Sequence, residues 1–79
     1  MAVTRMIVGF GADDELVFSQ DYPEEKFLDL RPWFDYGDDE LMYGGSYEIT
    51  EANRSRVAAI LGIELKPDVF YYLEAWESD

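Results

Sequence analysis

The most regular pattern in the chain is the run VFYYLEAW at residues 69–76, where nearly every residue is apolar or aromatic. Strict alternation divides it into Val69, Tyr71, Leu73 and Ala75 on one face and Phe70, Tyr72, Glu74 and Trp76 on the other. Large side chains on both faces predict a central β-strand with one face against helices and the other half exposed. Exposed aromatic side chains in number would mark a contact surface. The acidic residues 77–79 are expected to end the strand.

Two further alternating runs lie at the start of the chain. Residues 3–10 and 15–20 read as strands, and Gly11-Ala12-Asp13-Asp14 between them supplies typical turn residues. A connection of about four residues is common in hairpins. The first third of the chain is therefore predicted to be a β-hairpin.

The next segment has the signals of a short helix. Pro23 is expected at the first helical position, with acidic residues in the first turn. Pro32 disfavours helical geometry at the residue before it, so the helix should end near Leu30. The large rings of Trp33 and Phe34, which follow directly, are expected in the core.

After the Gly44-Gly45 break, residues 46–49 predict a third strand and residues 51–61 a second helix. Thr50 is the expected N-cap, and Gly62 lies where a glycine C-cap belongs. Arg54 and Arg56 should lie largely on the solvent side of this helix.

The order β-β-α-β-α-β predicts an α+β fold: a mostly antiparallel four-stranded sheet with helices on one face. Seventy-nine residues leave room for a single domain, residues 1–79, with one core. No run is apolar and long enough for a membrane span or a signal peptide, which favours a cytoplasmic location.

The composition excludes much chemistry. The chain has no cysteine and no histidine, so thiolate and imidazole nucleophiles, bases and metal ligands are missing. Its serines and threonines therefore have no histidine to activate them. We expect neither an enzyme nor a cofactor or metal site. Glu74 is the one carboxylate inside an aromatic strand, but an ion pair with Arg5, Arg54 or Arg56 would account for it structurally.

Charge narrows the choice of partners. The chain has 18 acidic and 6 basic residues, for a formal net charge of −12. Such a field repels nucleic acid and anionic membranes and attracts basic surfaces. Solubility alone is the alternative explanation of this acidity.

The candidate partner-binding residues combine acids with aromatic side chains, as an anchor for a basic protein would. Most lie in the acidic segment that follows the first helix, and one lies in the last strand. They are Asp35, Tyr36, Asp38, Asp39, Glu40, Tyr43 and Trp76. The segment lacks the acid spacing and the glycine of a calcium loop, so a metal is not expected there.

Three short pieces carry a family resemblance: Asp38-Asp39 with Met42-Tyr43, then GSYEIT at residues 45–50, then FYYLE at residues 70–74. They resemble small acidic bacterial domains found among the immunity proteins of polymorphic toxin systems. The order of elements is similar to the cloacin immunity family, whose acidic sheet proteins bind and neutralise a basic ribonuclease toxin domain. The resemblance implies a binding protein, and no contact residue carries over from it.

Three hypotheses follow. The first is an acidic inhibitor, most concretely an immunity protein that occludes a basic, nuclease-like toxin domain. The second is a nucleic-acid mimic of phage or mobile-element origin, which should show rows of evenly spaced acids with few aromatics between them. The third is a homodimer that buries its aromatics against itself.

Overall fold

The computed structural model describes residues 2–42 and 46–78. Its strands are β1 (Ala2–Phe10), β2 (Leu16–Tyr22), β3 (Tyr47–Glu48) and β4 (Phe70–Ser78). The helices are α1 (Glu24–Leu30) and α2 (Arg54–Leu61), with a 3₁₀ turn at Arg31–Trp33. The strands form one antiparallel sheet in the order β2-β1-β4-β3. The predicted α+β class and element order are confirmed.

The last strand occupies the predicted central position. β4 lies between β1 and β3, and its ladder with β1 runs from Ala2 opposite Ser78 to Phe10 opposite Phe70. The prediction that residues 77–79 end the strand was wrong for Glu77 and Ser78. Because β1 already begins at Ala2, these two residues still have a partner strand.

The predicted hairpin is confirmed, with a longer second strand. The Gly11 amide donates to the Glu15 carbonyl at 2.8 Å and closes the turn. β2 continues to Tyr22, which pairs with Arg5. A register shift opposite Gly9 and Phe10 places a bulge at the start of β2.

Because β2 is still extended at Tyr22, the first helix begins one residue later than predicted. Pro23 is the N-cap in extended geometry (φ −74°, ψ 156°) and not the first helical residue. The α-helix ends at Leu30 as predicted, and Pro32 lies within the 3₁₀ turn that follows.

The second helix also begins later than predicted. Its N-cap is Asn53, because residues 51–53 form a turn and the amides of Asn53 and Arg54 both donate to the Thr50 carbonyl. Gly62 has the left-handed φ of 67° that the predicted glycine C-cap requires. Over the described residues, neither helix is long and apolar enough to cross a membrane.

Both helices pack on the same face of the sheet. Ile7 of β1 and Leu73 of β4 are paired and almost fully buried. Phe27 and Leu30 of α1 and Val57 of α2 join the same cluster, as do Tyr22, Met42, Ile49, Val69 and Tyr71. We call this side of the sheet the core face. One hydrophobic core fills the space between it and the helices.

Gly9 lets an aromatic ring lie directly against β1. A Cβ at Gly9 would be 2.8 Å from Val69 Cγ1 and 2.9 Å from Tyr71 Cε1, closer than carbon atoms pack. The Tyr71 ring is also held by an edge contact with Phe18, with centroids 6.0 Å apart. Residue 9 must therefore be glycine for Val69 and the Tyr71 ring to lie this close to β1.

We predict that Gly9→Ala lowers the free energy of unfolding by about 1–3 kcal/mol, because the added methyl overpacks this contact. Urea denaturation at neutral pH measures the change. Gly11→Ala is the control, since its Cβ would meet Val17 Cγ1 at an ordinary 3.5 Å. Equal losses in the two variants would contradict the packing explanation.

Candidate partner-binding surface

The acidic loop, residues 35–40, is an ordered pair of turns. The Asp39 amide donates to the Tyr36 carbonyl at 2.9 Å, and the Met42 amide donates to the Asp39 carbonyl at 2.8 Å. Gly37 has a positive φ of 56°, which glycine adopts at little cost. Met42 then enters the core, so the loop is tied down at its C-terminal end.

Arg31 braces the same loop from the 3₁₀ turn. Its guanidinium lies 5.6 Å from the centre of the Tyr36 ring, and Nη1 donates to the Glu40 carbonyl at 3.2 Å. These contacts use the ring of Tyr36 and the backbone of Glu40. The Glu40 side chain itself is exposed.

Asp39 connects the loop to the sheet. The Tyr47 hydroxyl on β3 donates to Asp39 Oδ2 at 2.6 Å. This hydrogen bond, helped by desolvation and by the charge of Asp39, raises the pKa of Tyr47 to about 12. The Asp39 carboxylate therefore has a structural role as the acceptor for Tyr47, and it is not simply a solvated acid.

The predicted site residues thus divide into groups. Asp35, Asp38 and Glu40 are exposed, while Tyr36 and Asp39 are partly buried and make internal contacts. Tyr43 lies outside the described residues. Trp76 is exposed, and it lies on the opposite side of the sheet from the core that Tyr36 packs against. In the described ranges, no group of three carboxylates is arranged to hold a metal ion.

Trp76 belongs instead to the open face of the sheet, the side away from the helices. Its residues, assigned by strand register, are Thr4, Met6, Val8, Phe10, Leu16, Ser19, Asp21, Glu48, Phe70, Tyr72, Glu74 and Trp76. Phe70 and Trp76 are each more than half exposed. The predicted half-exposed aromatic face is confirmed. The open-face residues of β1 were not among the predicted site residues, although the alternation in residues 3–10 indicated that they share one face.

The arginines are largely used inside the fold. Arg5 is 3% exposed, stacks 3.5 Å from the centre of the Phe27 ring and pairs with Glu24 through Nε at 3.0 Å. Glu74, for which Arg5 was one suggested partner, accepts a hydrogen bond from Ser46 Oγ at 2.5 Å.

Arg54 donates to the carbonyls of Lys66 and Val69, each at 3.1 Å, so the prediction that it faces solvent was wrong. It closes the loop before β4 onto α2.

Trp33 corrects a further expectation. Its side chain is 44% exposed and not in the core, and the Arg56 guanidinium lies 4.9 Å from the centre of its ring. Asn53 Nδ2 donates to the Trp33 carbonyl at 3.3 Å, which fixes the backbone of the 3₁₀ turn at the edge of α2. Phe34 does pack against the core.

Comparisons of the chain with protein-family models, with curated proteins and with solved structures gave no significant match. The resemblance to immunity domains therefore stays a prediction.

We predict that Tyr47→Phe lowers the free energy of unfolding by about 1 kcal/mol at neutral pH, through loss of the bond to Asp39. The folded pKa of about 12 lies above the usual 10.0, so the stabilisation is complete below pH 10 and is lost as pH rises through 12. Urea denaturation across this range should show less alkaline loss in Tyr47→Phe than in wild type.

Asp39→Asn is the companion variant, because it keeps an acceptor oxygen but removes the charge. The pKa of Tyr47, followed by ultraviolet difference absorbance, should then move back toward its usual value. An unchanged titration of Tyr47 would contradict the role given to Asp39.

Proposed function

We propose that this protein is an acidic protein-binding inhibitor, most concretely an immunity protein that occludes a basic, nuclease-like toxin domain. The inhibitor needs no catalytic group of its own, since occlusion acts by covering the partner's site. Its charge would speed encounter with a basic partner, and exposed aromatic side chains would anchor the complex.

One observation carries the proposal: acids outnumber bases 18 to 6, and the four arginines contact rings or backbone carbonyls of the fold. Arg5 is buried, Arg31 and Arg54 bond backbone carbonyls, and Arg56 lies over Trp33. The exposed carboxylates of the acidic loop add to the negative field around the molecule, and the Arg31 guanidinium beside the loop offsets only part of it. A field of this kind is suited to steering a positively charged partner.

The nucleic-acid mimic stays the alternative function. It predicted evenly spaced acids with few aromatics between them, whereas Phe70, Tyr72 and Trp76 lie among the acids of the open face. Rings at the centre of such a surface suit contact with an apolar protein patch better than imitation of a phosphate backbone.

The protein encoded by the adjacent reading frame is the partner to test. We expect it to bind this chain, to lose its toxic activity on binding, and to associate more slowly by about tenfold or more when salt rises from about 0.05 to about 0.5 M. Stopped-flow fluorescence measures the association rate. The dissociation rate should change much less with salt.

The matched control is the triple variant Asp35→Asn, Asp38→Asn, Glu40→Gln, which removes three exposed loop carboxylates. It should lower the association rate and weaken its dependence on salt. Absence of binding, or an association rate indifferent to salt in the wild-type chain, would count against the proposed function.

A further inference from the structure

We infer that the open face of the sheet is the docking surface, and that its occupant is a protein surface with an apolar centre flanked by lysines or arginines. This inference rests on the proposed function, because it names the surface and the partner chemistry through which an acidic inhibitor binds. It also moves the anchor of the complex from the acidic loop to the sheet.

An apolar strip runs along the centre of the open face, where β1 and β4 pair. Phe10 lies opposite Phe70, and its ring makes an edge contact with Tyr72, with centroids 5.9 Å apart. Trp76 lies opposite Thr4 toward the other end of the strip. Phe70 is 57% exposed and Trp76 56%, so these rings present large apolar areas that no described element covers. Clustered rings of this kind are typical of binding hot spots.

Acids flank this strip on both sides. Across the sheet, Asp21 on β2 and Glu74 on β4 both pair with Met6 of β1. Glu48 on β3 pairs with Tyr72 at the opposite edge from Asp21. Asp21 and Glu48 therefore lie on the two outer strands, which are about 14 Å apart at a spacing of about 4.8 Å per strand, with the strip between them. Glu74 lies within the strip, between Tyr72 and Trp76 on β4.

Among the residues that the structure describes, none of those on the open face is basic. The six bases of the chain are Arg5 on the core face of β1, Lys26 on α1, Arg31 in the 3₁₀ turn, Arg54 and Arg56 on α2, and Lys66 in the loop before β4. A partner that covers the aromatic strip must therefore meet carboxylates at its rim without any compensating cation. Lysines or arginines placed around an apolar centre satisfy both requirements.

The same charges disfavour a second copy as the occupant. A face-to-face dimer would be isologous, so it would place Asp21, Glu48 and Glu74 of both copies in one interface. Like charges brought together at an interface cost free energy, and no described residue of this face is a cation that would offset them. Phosphate-bearing surfaces, whether nucleic acid or anionic membrane, are repelled for the same reason.

The acidic loop is a poorer anchor. Its ring, Tyr36, packs against the core and lies beneath the Arg31 guanidinium, and Asp39 is bonded to Tyr47. These side chains have internal roles that a partner would have to break. The exposed Asp35, Asp38 and Glu40 add to the long-range field, while the open face supplies the contact.

The test uses three synthetic helical peptides as probes of the full chain. The first has a leucine face flanked by lysines, the second replaces the lysines with glutamates, and the third replaces the leucines with serines. Nuclear magnetic resonance of the labelled chain reports where each binds. We expect the lysine–leucine peptide alone to shift signals of the open face, including the Trp76 indole.

Two matched pairs of variants measure the contribution of the face to the lysine–leucine peptide. Phe70→Ser with Trp76→Ser should raise Kd about tenfold or more, whereas Leu28→Ser with Leu41→Ser, also exposed apolar residues, should change it less than about twofold. The second pair compares two triple variants that each remove three charges. Asp21→Asn with Glu48→Gln and Glu74→Gln, on the open face, should weaken binding more than Asp35→Asn with Asp38→Asn and Glu40→Gln, in the loop.

Several outcomes would overturn the assignment. One is that the lysine–leucine peptide does not bind, or that the glutamate or the serine peptide binds as tightly as it does. Another is that the shifted signals are confined to the acidic loop or the helices. A third is that the triple variant of the open face and the triple variant of the loop weaken binding equally. A dimer in light scattering that Phe70→Ser with Trp76→Ser abolishes would make a second copy the occupant. Failure of the neighbouring protein to bind would remove only the proposed function, since these probes do not depend on it.

Discussion

The ladder between β1 and β4 is the constraint on which the rest of the structure depends. It joins residues 2–10 to residues 70–78, and both flanking strands attach to this pair. Because side chains alternate along a strand, a slip of one residue would exchange the two faces of the sheet. The register of this one ladder therefore decides which rings meet the helices and which meet solvent. Contacts so distant in sequence form only after a large loss of chain entropy.

Arg5 shows how strongly that register is specified. In the observed register its guanidinium lies on the core face, stacked on Phe27 and paired with Glu24. Tyr22 lies opposite it on β2, and burial raises the pKa of that phenol to about 12, with the charge of Arg5 opposing the shift. If β1 slipped by one residue, Arg5 would be exposed and Met6 or Thr4 would lie beside the Glu24 carboxylate. Polar contacts of this kind discriminate among registers even where their net stabilisation is small.

The surface is acidic because acids outnumber bases 18 to 6. The arginine side chains tie the structure together by bonding carbonyls and stacking on rings, and Arg5 also pairs with Glu24. On the helix side, arginines contact rings and carbonyls. On the open face, acids lie beside an aromatic strip, and no basic residue among those described lies there. A field without a contact surface would attract many basic proteins weakly, whereas rings surrounded by acids allow selection by shape as well.

Much of the fold could be read from the chain alone. The alternation in residues 69–76 and 3–10 predicted the strands and the half-exposed aromatic face, and Gly62 predicted the end of α2, because these signals are local. The helix starts were misplaced: β2 remained paired through Tyr22, and a turn returning to the Thr50 carbonyl came before α2. The pairing of Tyr22 with Arg5 of β1 is a contact with a distant strand, whereas the turn at residues 50–54 is local and its signal was missed.

The candidate site divides in the same way. The sequence by itself determined that acids greatly outnumber bases and that rings alternate along the last strand. Only the tertiary structure decided that Trp76 lies away from the acidic loop, that Asp39 is held by Tyr47, and that Arg5 and Arg54 turn inward. The physical reason is that charge and periodicity are properties of the chain, whereas the partner of each side chain depends on which distant strand lies beside it.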